Sequence, residues 1–206
     1  MLVIFDKCHD PYFNLASEEF LLAERRMRQP VIRLWQNSPA VIVGRFQNTL
    51  AEINREFVAK GNIAVVRRIT GGGAVYQDFG NVNYTVAQPT GKKIIDFAQF
   101  TKPVIELLAG YGIKAENRGR NDIEAQGCKI SGGAQTIKDN RVLHHGTLLF
   151  NVKLDVLARV LRAKEHKLAA RGVSSIRARV GNIVDFMREP LPVEVFLKDL
   201  EKHFLR

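Results

Sequence analysis

A chain of 206 residues, 46% apolar and 25% charged, has the size and mixture of one folded domain, which excludes disordered, collagen-like and low-complexity classes. Thirty-one Lys and Arg against 21 Asp and Glu leave a formal charge of +10, favouring an acidic partner without choosing among nucleic acid, anionic lipid, phosphorylated small molecules and acidic protein. The apolar runs at 2–5 and 40–44 fall far short of the roughly 20 residues that cross a bilayer, Asp6, Lys7 and Asp10 break any secretory signal, and two cysteines supply neither a disulfide framework nor a four-ligand zinc site, so a cytoplasmic protein is expected.

Phe13, Ala16, Phe20, Ala23 and Met27 recur at helical spacing behind Asp10-Pro11, which supplies a capping oxygen and a first-turn proline. Val31 to Trp35 and Ala40 to Gly44 read as strands, with Asn37-Ser38-Pro39 as a hairpin connection. A helix is expected over 52–60, closed by Gly61, and then a buried strand from Ile63 to Arg67 that enters a glycine cluster. Further strands fit Asn83 to Ala87, Lys129-Ile130, Ala134 to Ile137 and Val142 to Asn151, with turns at Gly132-Gly133 and Asp139-Asn140. Helices fit Ile94 to Tyr111, with Pro103 as a break or a fresh first turn, Leu154 to Leu161, and Pro192 to Phe204 with Val193, Phe196, Leu197, Leu200 and Phe204 on one face. The short basic clusters at 25–28 and 159–167 read as solvated helix faces. No repeat or linker interrupts the chain, and a single α+β domain over 1–206 is the economical reading.

The densest chemical signal is RRITGGGAVYQD, Arg67 to Asp78. A strand brings two arginines and a hydroxyl to three glycines, whose backbone N–H groups can approach an anion without a Cβ in the way. The segment is neither Walker A nor a GxGxxG fingerprint, and alone it reads equally as a hairpin turn. GRND (119–122), CKISGGAQ (128–135) and HHGTLLFN (144–151) place further polar residues inside apolar strands. Lys129, beside Ile130 and small residues, fits an inward-facing cation for a phosphate or carboxylate, the alternative being an edge lysine that blocks aggregation. Asp122 suits either a magnesium ion carried mostly by phosphate oxygens or ordinary turn chemistry, and His145 either a site or a satisfied core histidine.

Together with NLASEEFLL (14–22) and LAARGVSSIRARVGNI (168–183), these segments resemble the lipoate-protein ligase A family over about residues 2–204. The resemblance implies the catalytic fold shared with biotin-protein ligases, a mixed, largely antiparallel sheet flanked by helices. It implies activation of lipoate by ATP to lipoyl-adenylate and transfer of the lipoyl group to a lysine of an acceptor. The expected acceptors are the lipoyl domains of 2-oxoacid dehydrogenase E2 subunits and the glycine cleavage H protein. By position, Arg68, Gly72, Gly73, Ala74, Val75 and Tyr76 would surround the adenylate and Asn83 line the nucleotide site. Asn121 and Asp122 fall in the phosphate and metal segment, where Asp122 would meet Mg2+. Lys129 would bridge acyl carbonyl and phosphate, and His145, Gly146 and Thr147 would lie near the acyl group. Leu15, Trp35 and Val43 are candidates for an apolar wall.

Gln77 stands where many members have His, and Gly133 where Ser is more usual. Typical members also continue into a small C-terminal domain that takes part in adenylation, absent before the chain stops at Arg206, so the sequence is either a large-domain piece or a natural short form, or it works with a separately encoded small subunit as a further partner. The rival reading is an octanoyl or lipoyl transferase working through a thioester on Cys128, whose side chain should face away from that of its neighbour Lys129. A biotin ligase lacks the KISG partner of the glycine segment. A nucleic-acid-binding module would need aromatic pairs, a recognition-helix cluster or zinc ligands that the sequence does not offer, and no nucleic-acid or membrane partner is expected.

Overall fold

The alternation in Asn81–Pro89 explains the layering of the molecule. Val82, Tyr84 and Val86 take one face, Asn81, Asn83 and Thr85 the other, and all six are buried. A strand buried on both faces needs a cover on each. In the computed structural model, which describes residues 1–24, 26, 28–91, 96–161 and 180–205, this strand, β6, belongs to a seven-stranded sheet. The sheet order is β1 (Leu2–Phe5), β2 (Val31–Trp35), β6, β10 (Arg141–Leu149), β9 (Cys128–Lys138), β8 (Asp122–Ala125) and β7 (Ala115–Arg118). β1 and β2 are parallel and the other pairs antiparallel.

Helices α4 (Ala98–Gly110) and α6 (Val193–Phe204) cover the apolar face, packing Val104, Leu108, Phe196 and Leu200 onto Leu34, Tyr84, Ile130 and Leu148. Each fully buried side chain of this kind contributes about 1.5–3 kcal/mol. The polar face is covered by α1 (Pro11–Ala23) and by a three-stranded sheet in which β3 (Ala40–Val43) lies between parallel β4 (Ala64–Arg67) and antiparallel β5 (Val75–Gln77). Behind the small sheet, α3 (Arg55–Lys60) and α5 (Leu154–Val160) close a second core around Val41, Val43, Val58 and Tyr76. Among the described residues no helix is long and apolar enough to cross a membrane.

Several expectations need correction. The strands 31–35 and 40–44 do not form a hairpin: β2 pairs with β1 and β6, whereas β3 pairs with β4 and β5, so Asn37 to Pro39 carries the chain from one sheet to the other. Gly132-Gly133 is no turn but the middle of β9, an 11-residue strand paired with β10 from Lys138 to Ser131. The segment 52–60 is divided between α2 (Thr49–Glu52) and α3, because Asn48 and Asn54 each cap a separate start and Ile53 is drawn into an antiparallel bridge with Leu161. In α1 the face is wrong as well. Asp10 caps the helix as expected, with Oδ1 accepting from Tyr12 N at 2.8 Å. Phe13 and Phe20 are 52% and 60% exposed, however, and the buried face is Asn14, Leu15, Glu18, Leu21 and Leu22. The inward face of α1 is half polar because it rests on the polar side of β6 and β10. α4 passes through Pro103 unbroken, the lost donor falling within its first two turns. The Asp139-Asn140 turn is present, both residues having positive φ. Met27, Ile94 and most of the 159–167 cluster and of the 168–183 segment lie outside the described residues.

Candidate active site

The two sheets and α1 leave between them a cleft with about 670 Å³ of empty space, part of it open to solvent. The polar faces of β6 and β10 supply Asn83, His145 and Thr147, with the backbone of Gly146 between the last two, β9 supplies Lys129, and Asn121 enters from the turn before β8. The opposite wall is Arg68, Gly72, Gly73, Ala74 and Val75. Leu15, Trp35 and Ile42 make the apolar end. Strand alternation places Ile42 there and turns Val43 away, and by the same rule Val75 faces the cleft and Tyr76 does not. The side chains of Val43 and Tyr76 are buried in the core behind the small sheet, so Val43 does not join the apolar wall and Tyr76 has only its backbone to offer the site. Burial, with the charge of Asp78 beside it, pushes the Tyr76 hydroxyl up to about 12.

Two arginines brace the glycine loop and the loop beside it. Arg68 donates to Thr70 Oγ1 and to the carbonyls of Ile42, Gly71 and Gly73, the last two at 2.7 Å from Nη2. Its guanidinium therefore faces the loop's own backbone, and burial pulls its pKa down to about 10 against the attraction of Glu18. Arg67 binds the neighbouring loop, donating to the carbonyls of Gly44, Arg45 and Gln47 and to Thr49 Oγ1. Arg45 N to Thr70 O at 2.9 Å joins the two loops. At Gly72, φ is +99° and an added Cβ would sit 2.8 Å from Arg68 Nη2, so only glycine fits without strain.

Lys129 Nζ lies 2.8 Å from Asp122 Oδ1, and both side chains are partly exposed. Asp122 itself is behind the lysine rather than on the cleft wall. Among the described residues no group of three or more His, Cys, Asp or Glu is placed to hold a metal ion, so a magnesium ion here would depend on the phosphate oxygens that bring it. Cys128, one residue before Lys129, has its Cβ against Gly181 and stays off the cleft.

Behind the cleft the polar side chains satisfy one another. Gln77 Nε2 donates to Asn83 Oδ1 and Thr147 Oγ1 at 2.9 and 3.0 Å, and Gln77 Oε1 accepts from Asn37 at 2.7 Å. An amide at this position thus serves as both donor and acceptor, and position 77 acts as a strut. Glu18, missed by the sequence reading, is fully buried beneath the cleft, its oxygens 2.9 and 2.8 Å from His145 Nδ1. Burial pushes the Glu18 carboxyl up, but the facing His145 ring, the hydrogen bonds it receives and the more distant Arg33 outweigh this and hold it below the ordinary carboxylate range. A usable signal did exist: Asn14, Leu15, Glu18 and Leu22 share one helical face.

The family model of the lipoyl protein ligase A/B catalytic domain matches residues 10–205. The chain belongs to this family. It is 41% identical over 196 residues to lipoate-protein ligase LplJ of Bacillus subtilis, covering 95% of this chain and 59% of that relative, so it spans less than two thirds of the relative's length. Among solved structures it is similar to a bi-partite lipoate protein ligase from Thermoplasma acidophilum, described with its E2 lipoyl domain (TM-score 0.81, 27% identity, 98% of this chain and 80% of that one). It is also similar to a lipoate-protein ligase A bound with ATP (TM-score 0.78, 26% identity, 98% and 82%). The expected ligase fold, α+β with a mixed sheet between helices, is the one observed.

Proposed function

We propose that this chain carries out lipoyl activation and transfer as a catalytic domain working in the cytoplasm. In the first half-reaction the carboxylate of lipoate attacks the α-phosphorus of ATP, a P–O bond breaks, and pyrophosphate leaves. In the second, the amine of an acceptor lysine attacks the acyl carbonyl, the bond to AMP breaks, and the nitrogen loses a proton. Lys129 carries the reading: it is a cation fixed by Asp122 in a cleft that joins an apolar end to an open glycine backbone. A charge in that position stabilises the oxygen on phosphorus and then the acyl oxygen as each becomes negative.

In this reading Gly72, Gly73, Ala74 and Val75 present backbone to the adenylate, Arg68 shapes that backbone, and Leu15, Trp35 and Ile42 take the alkyl chain and ring. Asn83 and Asn121 face the nucleotide, and His145, Gly146 and Thr147 flank the acyl group. Magnesium enters as part of the nucleotide substrate, and Asp122, paired with Lys129, is the carboxylate that would meet it. The partners are acidic lipoyl domains of E2 subunits and the glycine cleavage H protein, drawn by the +10 charge. The thioester rival is disfavoured by Cys128 lying off the cleft. The deciding experiment gives the pure chain ATP, magnesium and lipoate and reads pyrophosphate release, then separately gives it premade lipoyl-adenylate and an apo lipoyl domain. Transfer in the second arm is expected, and its absence would refute the reading. Pyrophosphate release in the first arm decides whether adenylation needs a separate small subunit.

A further inference from the structure

The chemistry above leaves Glu18 without a part, although it is a carboxylate with no exposed surface at the back of the cleft. A buried charge is costly unless its partners are in place, and here the partners lead to three parts of the wall. His145 Nδ1 donates to the carboxylate at 2.8 Å, and on the far side of the same ring Nε2 meets Thr70 Oγ1 at 2.9 Å. Thr70 Oγ1 in turn accepts Arg68 Nε at 3.1 Å, at the root of the glycine loop. On its other side, Glu18 Oε1 accepts from Thr85 Oγ1, which accepts Trp35 Nε1 at 2.9 Å.

Carboxylate, imidazole and hydroxyl in line have the order of a nucleophilic triad. Thr70 is only 1% exposed, however, and its oxygen already accepts from Arg68, so it cannot reach an acyl carbon. We propose instead that Glu18 is a positioning residue: through His145 and Thr70 it fixes the glycine loop, and through Thr85 it fixes Trp35, so that the acyl carbonyl is held against Lys129. This rests on the lipoyl-transfer reading and assigns an organising centre to that site.

A double-mutant cycle tests it. Glu18→Gln removes the charge and keeps the shape, Thr70→Val removes the hydroxyl and keeps the shape, and Thr70→Ser restores the hydroxyl. For each variant, affinity for lipoyl-adenylate and the single-turnover rate of transfer from it are measured. Each of the first two should slow transfer about tenfold or more while weakening affinity less, and the double variant should be no more than about threefold slower than the worse single one, because links of one chain are not additive. Thr70→Ser should transfer like the wild type. Additive losses, or a folded Thr70→Val with wild-type transfer, overturn the inference and leave the functional reading standing. Should Glu18→Gln fail to fold, the contrast between Thr70→Val and Thr70→Ser decides alone. A wild-type chain that neither binds nor transfers overturns both.

Discussion

Replacing Lys129 by alanine separates the chemical worth of this side chain from its structural worth. Its ammonium meets one carboxylate, Asp122 Oδ1 at 2.8 Å, and the two side chains are 29% and 27% exposed. An ion pair so open to water contributes at most about 1 kcal/mol, which in a domain of this size moves Tm by only about 2–4 °C. Removing a fixed donor from a charge that develops in the transition state costs far more, about 2.7–4 kcal/mol or 100- to 1000-fold in rate. The substitution also leaves the Asp122 carboxylate without its cation, placing the loss toward the upper end, so Asp122→Asn added to Lys129→Ala should recover part of it. Lys129→Arg should not rescue, since a planar fork cannot stand for a compact point charge in a narrow cleft. Single-turnover transfer from premade lipoyl-adenylate to excess apo domain, with melting curves in parallel, measures both quantities. A folded Lys129→Ala that transfers within about threefold of wild type, a barrier change under about 1 kcal/mol, would remove Lys129 from the mechanism.

The glycines of the loop should behave differently from one another: Gly72→Ala, strained at φ +99° and crowding Arg68, should lower both Tm and the thermal shift given by lipoyl-adenylate, whereas Gly73→Val, with no atom within 4 Å of its Cβ, should keep Tm and lose the shift. An undiminished shift in both would reduce the loop to a turn. Cys128→Ser should keep transfer activity, because in the proposed mechanism the acyl group travels as a mixed anhydride with AMP. Loss of all activity, with an acyl adduct trapped on wild-type Cys128, would establish the thioester route instead. Burial holds His144 neutral, its pKa pushed down from 6.5 to about 3, so the unfolded chain takes up a proton that the folded chain refuses as pH falls through 6.5. Stability should therefore fall from about pH 6.5 to about pH 3, overlapping the window of Glu18 only below about 4.5, and His144→Gln should flatten the upper part of that slope in pH-dependent melting. Equal slopes would show that another group sets it.

Period and punctuation located most elements, because Asp10-Pro11, Gly61 and Asp139-Asn140 act within a few residues of where they stand. What they could not supply was which strand lies beside which. Residues 31–35 and 40–44 look like a hairpin, and only the pairing of β2 with β6 and of β3 with β5 reveals that the chain changes sheets at Asn37. The glycines of CKISGGAQ read as a turn because glycine usually interrupts a strand, whereas here Gly133 exchanges hydrogen bonds with Asn121, accepting its side-chain amide and donating to its carbonyl. Motifs pointed to residues that the structure brings together in the cleft, as at Lys129, Asn83 and Thr147. The reading missed the face of Val43, where a one-residue difference decides, and it missed Glu18, whose partners lie far along the chain.

That remoteness has a consequence for how the protein folds and is protected. Glu18 is 127 residues from His145, Thr70 is 75 from His145, and Trp35 is 50 from Thr85. No contiguous fragment shorter than 15–147 contains the cleft, and each wall meets the next only after a long loop has closed. A ligand that requires all the walls binds the native chain and not the unfolded one, so at a hundred times its dissociation constant it stabilises the native state by about 2.7 kcal/mol. Because α1, both sheets and the glycine loop all contribute to its contacts, that protection extends to strands and helices far from the ligand. Hydrogen exchange across the domain, rather than at the loop alone, should register the bound state.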